Sequence, residues 1–231
     1  MIMAPTPSFA ADLPETTPSP FLYPVALNVR GRRCVVVGGG SVGERKAMAL
    51  LAAGATVMVI APHASEAVMT LADEGRITYI AETFTPAHLE EAFLVIAATD
   101  RREVNKAVAD AARVRGVLLN LAADADEADA GDFATMAMVR RDDLILGVTT
   151  GGAGPALSAH IRRDLEAQYD LYWEPYVALL GAMRTIARRA IADPDERAIA
   201  LRRLAASDTV RNCFANGTGS AYEEAMRCLF P

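Results

Sequence analysis

The stretch Arg33-Cys34-Val35-Val36-Val37-Gly38-Gly39-Gly40-Ser41-Val42-Gly43-Glu44-Arg45-Lys46 decides the fold. It reads as a short apolar strand, a glycine turn and the start of a helix. Gly38, Gly40 and Gly43 fill the three glycine positions of G-x-G-x-x-G. The first allows a tight turn, the second lets backbone approach a pyrophosphate, and the third lets helix and strand pack closely. The amides that open the helix then face the phosphates. The motif follows an apolar run and precedes Ala47-Met48-Ala49-Leu50-Leu51-Ala52-Ala53, a strong helix former closed by Gly54. That is the context the motif needs, whereas the bland reading is a glycine turn in some other α/β protein.

Downstream the pattern alternates. Thr56–Ala61 is β-rich and stops at Pro62; Ser65–Glu74 is helical in composition and stops at Gly75; Ile77–Ile80 is a further strand. Thr85-Pro86 opens a short helix, with proline in the first turn. Phe93–Thr99 is a buried-looking strand, and Asp100 is expected to cap a helix running to Arg115, with Glu103 three residues on. Gly116 ends it before the strand Val117–Asn120. This rhythm predicts an α/β fold, a Rossmann-type parallel sheet with helices on both faces. Ligands bind such sheets beyond the carboxyl ends of the strands. The candidate cofactor contacts are therefore Gly38, Gly40, Ser41, Val42, Gly43, Pro62, His63, Thr99, Asp100 and Asn120.

One feature of the dinucleotide fingerprint is missing. An Asp or Glu is expected about 20 residues past the glycines, on the ribose hydroxyls. Here that region is Ile60-Ala61-Pro62-His63, with neither a carboxylate nor an arginine for a 2′-phosphate.

Composition bounds the rest. The chain has 231 residues, 52% of them hydrophobic, enough for one large domain or two small ones. No apolar run approaches the ~20 residues of a membrane helix. Three cysteines, Cys34, Cys213 and Cys228, lack metal or redox spacing and suit a reducing compartment, so a cytoplasmic location without membrane partners is expected. A net charge of −6 argues against nucleic acid as a partner. Residues 1–133 carry 11 basic and 17 acidic side chains, while residues 134–231 carry 12 of each, with arginine as every base. Residues 1–20 hold five prolines and no Lys or Arg, which reads as a disordered leader rather than a secretory signal.

Between Ala122 and Asp132 the chain is acidic: Asp124, Asp126, Glu127, Asp129 and Asp132. Most of such a run is solvated loop. Its place after Asn120 would nevertheless put a carboxylate at the cleft mouth, as general base or metal ligand. Two strand-like runs from Ala134 to Val148 then flank a polar turn and read as a hairpin. A second glycine turn, Thr149-Thr150-Gly151-Gly152-Ala153-Gly154-Pro155, leads into a helix. Its amides form either an anion-binding concavity or only a flexible joint. The remainder is helical. Leu157, Ile161, Leu165 and Tyr169 share one face; Tyr176, Leu179, Leu180, Met183, Ile186 and Ala190 share another, and both stripes are read as core. Two shorter helices are expected at about 196–206 and 220–229.

Together these motifs resemble the precorrin-2 dehydrogenase/sirohydrochlorin ferrochelatase family, the NAD-dependent half of siroheme synthase. Gly38–Lys46 meets the family's G-G-G-x-V-A-x-R-K with Gly at 43; Gly54–Pro62 meets G-A-x-V-x-V-x-A-P; Ala97–Asp100 meets A-A-T-D, with Asn105 beyond; and Thr149–Ser158 meets S-T-G-G-x-S-P-A-L-A. The resemblance runs from about Phe21 to the C-terminus. It implies a Rossmann domain at 21–133, a dimerisation hairpin segment at 134–166 and a helical domain at 167–231, with the family's methyltransferase half absent. It implies NAD as cofactor, precorrin-2 as substrate, a homodimer exchanging the hairpin segment, and ferrochelatase activity on Fe2+ or Co2+ with no permanent metal. The family's catalytic aspartate falls ungapped on Ala123, so Asp124 or Asp126 is the candidate catalytic group. Met136 stands where the family has Pro, and Gly154 where it has Ser. A substrate with eight carboxylates needs donors, for which Thr150, Gly151, Gly152, Arg140 and Arg141 are candidates, with Arg162 and Arg163 near. The rival readings are a non-catalytic NAD-binding regulatory module and a different nicotinamide oxidoreductase.

Overall fold

A computed structural model describes residues 22–122, 131–217 and 219–231. The chain forms two compact units that divide between Thr135 and Met136.

The first unit is built on a five-stranded parallel sheet of order β3-β2-β1-β4-β5. The strands are β1 (Arg33–Val37), β2 (Thr56–Ile60), β3 (Thr78–Ile80), β4 (Leu94–Ala97) and β5 (Leu118–Leu121). Val37 pairs with Ile60 on one side and Ala97 on the other, and Ala97 pairs with Leu121. The carboxyl ends of β2, β1, β4 and β5 are thus level. Near-continuous Val, Ile and Leu runs are what a sheet covered on both faces requires. On one face Cys34, Val36, Val57, Val59 and Ile96 bury against Ala47 of α1 (Ser41–Ala52) and Val68 and Leu71 of α2 (Glu66–Asp73). On the other, Val35, Val37, Val95, Ala97 and Leu119 bury against Val108, Ala109 and Ala112 of α3 (Arg102–Arg115). Leu89 of the 3-10 turn Pro86–Leu89 completes that layer. Gly116 closes α3 in the left-handed conformation, φ 65°, as expected of a glycine at that place.

Asp100 does not cap α3. The N-cap is Arg101, whose amide donates to Thr99 Oγ1 at 3.2 Å; the threonine hydroxyl meets this end of the chain first.

The second unit opens with an antiparallel hairpin, β6 (Ala137–Arg141) and β7 (Leu144–Val148), closed by Asp142-Asp143 with Asp142 at φ 52°. Five helices follow: α4 (Pro155–Gln168), α5 (Trp173–Ala190), α6 (Pro194–Ala205), α7 (Asp208–Asn216) and α8 (Ala221–Leu229). Proline occupies the first helical position of α4 and of α6. Tyr176, Met183, Ala187, Ala200, Leu204, Val210, Ala225 and Leu229 form the core of α5–α8. Two expectations change here. Three short helices follow α5, not two, because Ser207 caps an extra one at α7 through Val210 N. The α4 stripe is not core: Leu157 is 53% exposed, and Ser158 is the buried residue of that helix. Periodicity marks an apolar face without saying what covers it.

Candidate functional site

The strand order reverses between β1 and β4, so the crevice for a ligand opens beside Gly38 and Thr99. Gly38 lies at φ 124°, and a Cβ on it would fall 2.3 Å from Ala98 O. A Cβ on Gly39 would fall 2.3 Å from His63 O, and one on Gly43 would fall 2.0 Å from Gly38 O. Side chains are shut out of all three positions by backbone. Gly40 differs. A Cβ there meets nothing within 4 Å, and its φ of −78° is ordinary. The turn is therefore packed on its inner side and open where the second glycine faces outward.

Gly40 is also the N-cap of α1, and no side chain caps that helix. The amides of Ser41, Val42 and Gly43 open α1 with no intrahelical acceptor. Together with the helix dipole they make a cradle for a diphosphate. A dinucleotide fits this cradle on the chain's own geometry: closed where the turn must be tight, open and donor-rich where phosphate would lie.

Neighbouring turns are held by side chains. Asn105 Oδ1 accepts from the Thr99 hydroxyl at 2.7 Å and from its amide at 3.3 Å, while Nδ2 donates to Thr99 O at 2.9 Å. This fixes Thr99 at the crevice; Asp100 beside it is exposed. Pro62 and His63 are exposed on the turn after β2. Ser65 caps α2, donates its amide to Gly39 O at 2.9 Å and its hydroxyl to Glu44 Oε2 at 2.7 Å. Lys46 donates to the Thr135 hydroxyl; burial lowers its pKa, and the Arg45 charge adds to that. Glu44, Lys46 and Ser65 are parts of the site that sequence reasoning did not single out. A serine just before a helical run is an N-cap signal for Ser65, but nothing local pairs it with a glutamate 21 residues earlier.

Asn120 is 5% exposed. Its Nδ2 donates to Phe133 O at 2.7 Å, and its Oδ1 is buried with no protein partner among the described residues. Gly131 bridges Asn120 in antiparallel fashion, and Leu119 O accepts from Asp132 N at 2.7 Å. Asp132 Oδ2 in turn accepts from Leu119 N at 2.9 Å. Ala122 N donates to Ala97 O at 2.8 Å. The two residues flanking 123–130 are thus both tied to the carboxyl end of the sheet. The candidate catalytic residues Asp124 and Asp126, and Ala123, lie outside the described residues.

In the second unit the turn at Thr150 is organised by its own oxygens. Thr150 Oγ1 accepts from Gly154 N at 3.0 Å and from Ser158 Oγ at 3.2 Å. Thr149 Oγ1 takes Gly151 N at 3.2 Å, and Thr150 O takes Ala153 N at 3.2 Å. Gly151 and Gly152 reach φ 63° and 91°, which only glycine adopts freely. Three amides that could have faced an anion are therefore spent inside the turn. Arg141 donates to Glu166 O at 3.2 Å and to Arg140 O at 3.0 Å, fastening the hairpin to α4. Arg162 pairs with Glu166 at 2.6 Å, and Arg140 donates to Asp142 O at 3.2 Å. Arg163 is exposed. No group of three or more His, Cys, Asp or Glu able to hold a metal occurs among the described residues. No helix there is long and apolar enough to cross a membrane.

Residues 25–136 match the family described as "Putative NAD(P)-binding", and residues 141–168 match "Sirohaem biosynthesis protein central". The siroheme synthase of Chromobacterium violaceum is 36% identical over 175 residues, 76% of this chain and 37% of that protein. Siroheme synthase 1 of Aeromonas salmonicida is 32% identical over 207 residues, 90% of this chain and 44% of that protein. The solved structure of "SirC, precorrin-2 dehydrogenase" superposes with a TM-score of 0.72 at 25% identity, covering 90% of this chain and 98% of that one. The chain belongs to the precorrin-2 dehydrogenase and siroheme synthase family. It spans about two fifths of the length of these curated siroheme synthases. Within the family its first unit is the NAD(P)-binding Rossmann domain, and residues 141–168, which hold β7 and α4, are the sirohaem central element.

Proposed function

We propose that this chain dehydrogenates precorrin-2 to sirohydrochlorin with NAD+. The observation that carries the reading is the glycine turn, sealed at Gly38, Gly39 and Gly43 and open only at Gly40. A bound NAD+ supplies the hydride acceptor, and the substrate loses one further hydrogen as a proton. The chain's share is the rest. The amides of Ser41–Gly43 hold the pyrophosphate at the head of α1. Asn105 keeps Thr99 fixed at the crevice, where it would help to line the cofactor site. A carboxylate between Ala122 and Gly131, Asp124 or Asp126, takes the proton. Surface arginines, Arg140 and Arg163 among them, meet the substrate's carboxylates. The same carboxylate would receive pyrrole protons displaced by Fe2+ or Co2+ in a chelatase step, with the metal as substrate.

The reading extends to a cytoplasmic homodimer. Met138 and Ile145 on the hairpin and Leu157 on α4 are exposed, the last two by more than half of their surface, and α4 packs against both strands of the hairpin. Apolar residues so placed suit a second copy across a two-fold axis.

The test is anaerobic incubation of the purified chain with precorrin-2 and NAD+, followed by absorbance, with and without Fe2+ or Co2+. NADH formation together with the sirohydrochlorin spectrum is expected. Unchanged spectra would leave NAD+ binding without turnover, the regulatory alternative.

A further inference from the structure

In dinucleotide-binding folds of this topology a carboxylate at the end of the second strand binds the adenosine ribose and disfavours a 2′-phosphate. The end of β2 here, Ile60-Ala61-Pro62-His63, has none. A carboxylate nevertheless stands against this turn, and it comes from α1. Glu44 Oε2 accepts from Ser65 Oγ at 2.7 Å. Ser65 N donates to Gly39 O at 2.9 Å. Gly39 packs so closely on the turn that its Cβ, if present, would fall 2.3 Å from His63 O and 2.8 Å from the Ala64 Cα. Glu44, Ser65, Gly39 and His63 thus form one cluster where the glycine turn meets the turn after β2. Glu44 is also half-buried, so its charge is less screened than that of a surface acid. Of the two bases that follow it, Lys46 is engaged with Thr135 and Arg45 is exposed.

We propose that Glu44 replaces the missing β2 carboxylate, accepting from the adenosine ribose hydroxyls and selecting NAD+ over NADP+ by repelling a 2′-phosphate. This rests on the reading of the first unit as a dinucleotide site. Ser65 is the positioning residue: its hydroxyl holds the carboxylate at the turn. The glutamate reaches from the first turn of α1 to Ser65, the cap of α2 three residues past Pro62, so an acid is brought beside the turn after β2 by a different element.

The experiment is calorimetric titration of NAD+ and NADP+ into the wild-type chain and three variants. Glu44→Gln keeps an acceptor for Ser65 and removes the charge. Glu44→Asp keeps the charge. Asp73→Asn removes one charge at the far end of α2. The wild type is expected to prefer NAD+ at least tenfold, and Glu44→Gln to narrow the NAD+/NADP+ ratio about tenfold, chiefly by tightening NADP+. Glu44→Asp and Asp73→Asn should hold the wild-type ratio. An unchanged ratio in Glu44→Gln with NAD+ binding intact overturns the proposal, as does an equal change in Asp73→Asn. Failure of the wild type to bind either dinucleotide overturns instead the reading on which it rests.

Discussion

Gly38 meets Ala98 backbone to backbone, so that a Cβ on Gly38 would stand 2.3 Å from the Ala98 carbonyl oxygen. Gly40, two residues on in the same motif, has open space around it. These two positions separate the cost to the fold from the cost to the ligand. Gly38→Ala forces both a clash with backbone and a φ of 124° on an L-residue, and should lose about 2–4 kcal/mol of stability. Gly40→Leu should leave the melting temperature within a few degrees and abolish NAD+ binding, because its side chain fills the pyrophosphate approach. Calorimetry and thermal unfolding on the pair check this; unchanged NAD+ affinity in Gly40→Leu would refute the placement.

Much of this was legible in the residues. The glycine spacing and the Val-rich runs specify a parallel sheet because few other arrangements use three glycines before a helix. Gly116 and Pro155 announced a helix end and a helix start. What stayed hidden depends on contacts distant in sequence. Glu44 reads locally as a first-turn acid on a helix dipole, and only the folded chain brings Ser65 to it. Leu157 belongs to a clean apolar stripe, yet periodicity is blind to whether the covering surface is in the same chain. Asp100 is a good cap by type, but the helix starts one residue later, at the N-cap Arg101, whose amide is taken by the Thr99 hydroxyl oxygen while that hydroxyl donates to Asn105.

Cys34 gives a pH test of the core. It is wholly buried in the middle strand, and burial pushes its thiol up to about 11, with the Arg32 charge pulling the other way. In the unfolded chain it ionises at the ordinary value of 9.0. A raised folded pKa contributes stability that is complete below pH 9 and is lost as pH climbs toward 11. The stability of Cys34→Ala should lack this component, so the wild-type advantage in urea unfolding shrinks between those pH values by at most ~1.4 kcal/mol per unit. Parallel pH profiles for the two proteins would count against it. In native labelling Cys213 and Cys228, both partly exposed, should react while Cys34 does not.

The hairpin predicts assembly. Ile145 and Leu157 are 54% and 53% exposed, so placing a charge at either costs the protomer little, within about 0.5 kcal/mol. Ile145→Glu with Leu157→Glu should therefore convert a dimeric mass to a monomeric one by light scattering at micromolar concentration, with unchanged circular dichroism. A wild-type chain that is already monomeric there would remove the homodimer from the reading.

The last prediction concerns the proton acceptor. Asp124, Asp126 and Asp132 all follow β5 in sequence, and the proposed reading gives them different roles. Asp132 holds the Leu119 amide at 2.9 Å, a structural duty. Asp124 and Asp126 lie between two fixed points, Ala122 on the Ala97 carbonyl and Gly131 on Asn120. A base that moves a proton in the transition state contributes about 10²–10⁴-fold in rate. Asp124→Ala should lower kcat by that order with NAD+ affinity nearly intact. Asp132→Ala should instead cost about 1–3 kcal/mol of stability, for the amide left unpaired, and shift kcat by only a few-fold. If Asp126→Ala carries the loss and Asp124→Ala does not, the catalytic register lies two residues further along. If the double variant Asp124→Ala/Asp126→Ala turns over precorrin-2 at the wild-type rate, neither carboxylate is the base. The acceptor must then be sought among the described residues at the crevice, starting with exposed His63 on the turn after β2.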